Sequence, residues 1–145
     1  MRRQLRAHVA IDTGVVTLSG QNLHATLEIR NSGPTPAYEM TINSVLFMQE
    51  INASPSEPPV EDVDLSKTTV GPDTTVSSQA QLFVSNGNLH GLRDGNIIPW
   101  VTGRIRYRNV FGASRRIDFL SRGDVSPNRD ETWILTHYRI GRGSD

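Results

Sequence analysis

From Val101 to Gly112 the chain reads VTGRIRYRNVFG. Val101, Gly103, Ile105 and Tyr107 alternate with Thr102, Arg104, Arg106 and Arg108, a period of two that only an extended strand can use. One face of such a strand is apolar and the other carries three arginines. The pattern resumes as RRIDFL after Gly112-Ala113-Ser114, so the two runs read as a β-hairpin. A chain built around this hairpin belongs to the all-β class.

The rest of the sequence agrees. Gln4 to Asp12 alternates around Leu5, Ala7, Val9 and Ile11. Gly14 and Ser19-Gly20-Gln21-Asn22 read as turns. Leu23, Ala25, Leu27 and Ile29 then share one face, and the strand ends in the turn Asn31-Ser32-Gly33-Pro34-Thr35-Pro36. Ala37 to Gln49 starts with Tyr38, Met40 and Ile42 in phase, then shifts to Val45 and Phe47. Either a bulge near Asn43-Ser44 or burial on both faces gives that shift. Thr74 to Val84 alternates through Val76, Ala80 and Leu82. Leu89 and Leu92 suit one helical turn plugging an end of the core, and Glu131 to Tyr138 supplies a last strand. These segments predict an antiparallel β-sandwich of about seven to eight strands with at most one short helical turn, a barrel being the alternative. Core positions are Leu27, Ile29, Ile42, Leu82, Val101, Ile105, Tyr107, Ile117 and Phe119.

A chain of 145 residues suits a single domain over 1–145. At this length folding hides about 68–70% of the unfolded surface, so neither metal nor disulfide is needed. With no cysteine, disulfides, thiolate zinc sites and thiol nucleophiles are excluded. No run of 18 apolar residues occurs, so no segment spans a membrane as a helix, and MRRQLRAHVAI lacks the apolar core of a signal peptide. A formal net charge of zero argues against a dedicated nucleic-acid binder. The cations are 14 arginines and one lysine, Lys67. Residues 52–73 are acidic and proline-rich, with Glu57, Glu61, Asp62, Asp64 and Asp73, and read as a mobile crossover with a short edge strand at Lys67 to Val70. Residues 139–145 read as a frayed tail.

Chemistry-bearing patterns are few. His8, His24, His90 and His137 show no metal-ligand spacing, and neither a G-x-S-x-G elbow nor a phosphate-binding G-x-x-x-x-G-K-[ST] loop is present. The run Glu61-Asp62-Val63-Asp64 offers oxygen ligands for calcium but lacks an EF-hand's glycine and terminal glutamate, so a solvated loop is the simpler reading. No catalytic residue, cofactor or metal is therefore assigned. The patch with a physical consequence is Arg104, Arg106 and Arg108 facing Arg115 and Arg116 across the hairpin. Like charges opposite one another repel, so something anionic should relieve them. Asp118, the acidic loop, another protein or an anionic surface are the candidates. Only Trp100 adds an aromatic near this face, too little for nucleic-acid stacking.

Three pieces in order, RRQLRAHVAI, EIRNSGPTPAYEM and VTGRIRYRNVFG, resemble an uncharacterised bacterial domain found after one or two N-terminal transmembrane helices. In that group an R-A-Y/W-V strand is followed by N-x-G-x-T-P-A and by G-x-I-x-Y-x-D-x-F-G. The resemblance spans most of the chain, and its motifs are turns and strand alternation. It implies an immunoglobulin-like sandwich serving as a non-enzymatic binding or spacer module at a bacterial envelope. Two departures are plain: no membrane helix is present, and His8 and Asn109 replace an aromatic and an aspartate. In NSGPTPA, Gly33 is expected at positive φ. In NVFG, Asn109 is expected to bond its own backbone, with Val110 and Phe111 covering the end of the core. The alternatives are a small assembly subunit, such as a virion or appendage component, joining through edge strands, and a hydrolase or lectin-like sandwich using the acidic loop.

Overall fold

The computed structural model describes residues 6–61, 67–125 and 131–143. Eight strands form: β1 (Val9–Ser19), β2 (Asn22–Asn31), β3 (Ala37–Glu50), β4 (Thr68–Val70), β5 (Thr74–Phe83), β6 (Ile97–Arg108), β7 (Ser114–Val125) and β8 (Thr132–Gly143). One helix, α1 (Asn86–Asp94), joins β5 to β6. All pairings are antiparallel, and the strands make one sheet in the order β4-β3-β6-β7-β8-β1-β2-β5. The sheet curls until its edge strand β5 lies alongside β3 and β4, nearly closing a barrel. A continuous sheet thus stands where the sandwich reading expects two.

The joint between the two halves of the curl is short. Between β1 and β8 the register holds for three pairs, Val15↔Ile134, Val16↔Trp133 and Thr17↔Thr132. One lobe is β1-β2-β5 and the other is β4-β3-β6-β7-β8. Their inner faces meet in one core: Leu23, Leu27 and Ile29 from the first, Val101, Ile105, Ile117 and Phe119 from the second. Ile42, Leu82 and Tyr107 pack against that core while half-buried. Ile105 is fully buried on β6, between β3 and β7. Ile105→Ala is expected to cost about 2–5 kcal/mol in denaturant unfolding, and a loss below about 1 kcal/mol would place the side chain outside the core.

Several local expectations need correction. Gly14 lies inside β1 rather than in a turn, because β1 absorbs its irregularity as a bulge between Ile11 and Thr13. The bulge in β3 falls between Tyr38 and Thr41, not at Asn43-Ser44, with Glu39 at φ 51°. It moves Tyr38 outward and sets Ala37, Met40, Ile42, Leu46 and Met48 against the core. The helix has nine residues, more than the single turn expected. Its ends explain this: Ser85 Oγ accepts from the Asn88 N–H, and Gly95 closes the last turn at φ 81°. Leu92 is buried beneath it. Residues 139–143, read from sequence as part of a tail, continue β8 along β7 from Leu120↔Arg139 to Arg116↔Gly143. Residues 144–145 lie outside the described residues.

Candidate functional site: the outer face of the arginine hairpin

In an antiparallel pair, directly opposed residues project to the same face. Register therefore lays out the outer face of β3, β6, β7 and β8 row by row. Tyr38, Arg108 and Ser114 form the row nearest the hairpin turn, followed by Thr41, Arg106 and Arg116, then Asn43, Arg104 and Asp118. Next come Val45, Thr102, Leu120 and Arg139, then Phe47, Trp100, Arg122 and Thr136. The face is graded, cationic at the hairpin end and apolar toward the other.

Four of the five arginines assigned from sequence share this face. Arg115 does not. It stands opposite Tyr107, whose phase is that of Ile105 and Ile117, so it belongs to the inner side of the sheet at its mouth. The period of two separates adjacent residues by construction, so Arg115 and Arg116 cannot both join Arg106.

Repulsion is answered from within the chain at Arg104, Arg116 and Arg108. Asp118 bridges two of them, with Oδ1 2.7 Å from Arg104 Nε and Oδ2 3.1 Å from Arg116 Nε. Glu39, presented by the β3 bulge, stands 3.1 Å from Arg108 Nε. Arg106 lies directly across from Arg116. These pairs are half exposed, so each contributes little stability and chiefly fixes side-chain direction.

The acidic crossover does not run free over its described part. Gln49 holds it at Ser54 and Ser56, and Glu57 reaches across the outer face to the Thr102 hydroxyl at 2.9 Å and to Arg139. Beneath it a cleft of ≈ 460 Å³ is lined by Glu57, Pro58, Val60, Thr102, Arg104, Asp118 and Arg139 among others. Asp62 and Asp64, the carboxylates considered for calcium, lie outside the described residues. A second cavity of ≈ 170 Å³ opens beside the hairpin turn, lined by Glu39, Thr41, Lys67, Arg106, Tyr107, Arg108 and Ser114.

At the apolar end of this face, burial on both sides, one of the two alternatives for residues 45–47, holds, whereas the part played by Trp100 is what sequence reading missed. Trp100 is buried, stacked near Phe47 at 6.3 Å, edge-on to Tyr138 at 5.1 Å and 5.9 Å from the Arg122 guanidinium carbon. Ile98 and Leu120 complete this second cluster. The signal was there: Ile98, Trp100 and Leu120 are apolar in the phase opposite to the main core, which marks strands covered on both sides. Tyr138 reaches Trp100 because it is the extra residue of a β8 bulge, between His137 and Arg139.

Chemically the face is suited to recognition. Guanidinium groups bind carboxylate and phosphoryl oxygens in fixed geometry. No protein-family model, curated protein or solved structure matches this chain.

Proposed function

We propose that the chain is a non-enzymatic, immunoglobulin-like binding or spacer module of a bacterial envelope-associated protein. Strand order carries the reading. β1, β2 and β5 stand together as strands A, B and E do in an immunoglobulin domain, while β3, β6 and β7 stand together as C, F and G do. β4 beside β3 corresponds to the added C′ strand of variable-type domains. The departure is β8, which lies between β7 and β1 and makes one sheet of two. The envelope setting rests on the resemblance of RRQLRAHVAI, EIRNSGPTPAYEM and VTGRIRYRNVFG. The recognition face is the one bearing Arg104, Arg106, Arg108 and Arg116, whose natural complements are a protein with acidic groups or an anionic surface.

A second reading, an assembly subunit, draws on the sheet edges. Among the described residues, β8 beyond Ile134 pairs with β7 on one side only, and β5 pairs with β2 alone. Such edges can add strands from another copy. Sedimentation of the whole chain separates the two readings. A monomer across a wide concentration range is expected for the binding module. A stable ring or higher assembly would overturn it in favour of the subunit.

A further inference from the structure

The turn between β6 and β7 is stiff and points its apolar residues at water. Asn109 is buried, and its Oδ1 accepts the N–H groups of Phe111 and Ala113, each at 3.0 Å. Gly112 takes φ 78°, and its N–H closes on the Asn109 carbonyl at 3.0 Å. The same bonds that order the turn keep its tip outside the core. Val110 is 43% exposed and Phe111 45%, contrary to the expectation that they cap the core.

Cations stand beside the turn. Lys67, Arg106 and Arg108 converge with the Ser114 hydroxyl on the ≈ 170 Å³ cavity, where Glu39 is the single carboxylate among the described residues. The chain's only lysine stands among them. Tyr38, in the same outer row as Arg108, is also exposed. An apolar tip flanked on one side by positive charge, with a tyrosine at its margin, matches in polarity and sign the boundary of an anionic bilayer.

The geometry points to a peripheral membrane contact. Val110 and Phe111 enter the acyl boundary, while Lys67, Arg106 and Arg108 receive phosphoryl oxygens of the headgroups and Ser114 donates a further hydrogen bond. Charge complementarity selects a lipid surface carrying net negative charge over a neutral one. The inference deepens the binding reading of this face and rests on it.

Vesicle flotation of the whole chain tests it, with phosphatidylcholine alone and with phosphatidic acid added. Binding is expected only to the anionic vesicles and should weaken steeply with salt. Lys67→Ala is expected to lower partitioning about fivefold, the effect of one cation near such a surface. Val110→Ser with Phe111→Ser should lower it by at least about tenfold at an unchanged melting temperature, since both side chains are exposed. Absence of binding to anionic vesicles, or equal binding to neutral ones, overturns the contact. So does displacement of the protein by inorganic phosphate together with full binding by the double-serine variant, which would assign the cations to a soluble phosphate compound. A monomer that ignores vesicles overturns the membrane contact alone, whereas a higher assembly in sedimentation overturns the binding-module reading.

Discussion

Gly103→Val is expected to destabilise the fold severely. Gly103 faces inward on β6, opposite Ser44 on β3 and Phe119 on β7. A Cβ there would stand 2.4 Å from Phe119 Cζ and 2.5 Å from the Asn43 carbonyl oxygen. The ring could rotate, but the carbonyl belongs to the neighbouring strand and moves only with β3 itself. The loss should reach at least about 3 kcal/mol, beyond ordinary overpacking and a large share of the roughly 5–15 kcal/mol that holds a domain together. Urea unfolding would measure it. Combining Gly103→Val with Phe119→Leu should recover part of the loss, because residues in contact couple. A Gly103→Val protein within about 1 kcal/mol of the parent would show that β3 yields where the packing says it cannot.

Asn31→Ala should be nearly as damaging, through hydrogen bonds instead of volume. The side chain is fully buried at the end of β2. Its Oδ1 accepts from the His8 N–H at 3.0 Å and the Gly33 N–H at 3.1 Å. Its Nδ2 faces the carbonyls of Thr35 at 2.8 Å, Val70 at 3.1 Å and Gly71 at 3.3 Å. One amide thus ties the approach to β1, the turn into β3 and the end of β4. Alanine would strand several of these groups away from water at about 1–3 kcal/mol each, so a total near 3–5 kcal/mol is expected. Hydrogen exchange gives the sharper readout. The amides of His8 and Gly33 should lose protection before those of the β2 interior, and uniform protection in the variant would contradict the assignment.

Those two residues also show what could be read in advance. Alternation was sufficient for β2, for β5 and for the end of the hairpin nearest its turn, because in each one face is the more buried and the period of two survives intact. It failed where one residue is inserted. The bulges at Glu39 and Tyr138 reset the phase without changing composition, so alternation alone sets Tyr38 in phase with Met40 and Ile42 and does not carry β8 past Tyr138. Motif reasoning found the right residues with a partly wrong cause. Gly33 is required, yet not for positive φ: a Cβ on it would stand 2.4 Å from the Arg6 carbonyl oxygen and 2.6 Å from the His8 nitrogen. That close approach joins segments distant in sequence, which no local rule records. Asn109 was anticipated fully, since its partners lie within four residues. For the site, the face of Arg104, Arg106, Arg108 and Arg116 followed from periodicity. Lys67 and Glu39 joined it only through the pairing of β4 with β3 and through the bulge.

The short joint between β1 and β8 has a mechanical consequence. β1 leads into the three shared pairs from Val9, and β8 leaves them toward Gly143 on the same side, so the two arms form an open V. Tension between Val9 and Gly143 would act at the vertex of that V, loading Val15↔Ile134 first and the next two pairs in turn. Hydrogen bonds perpendicular to the strands then yield singly, as in a zipper, where a shear geometry would load them together. Stretched between these two points, the domain should part its lobes at low force, because forced unfolding follows the barrier along the pulled direction and not the total stability. A fold of this kind is poorly made to carry load in series and better made to stand to one side of it.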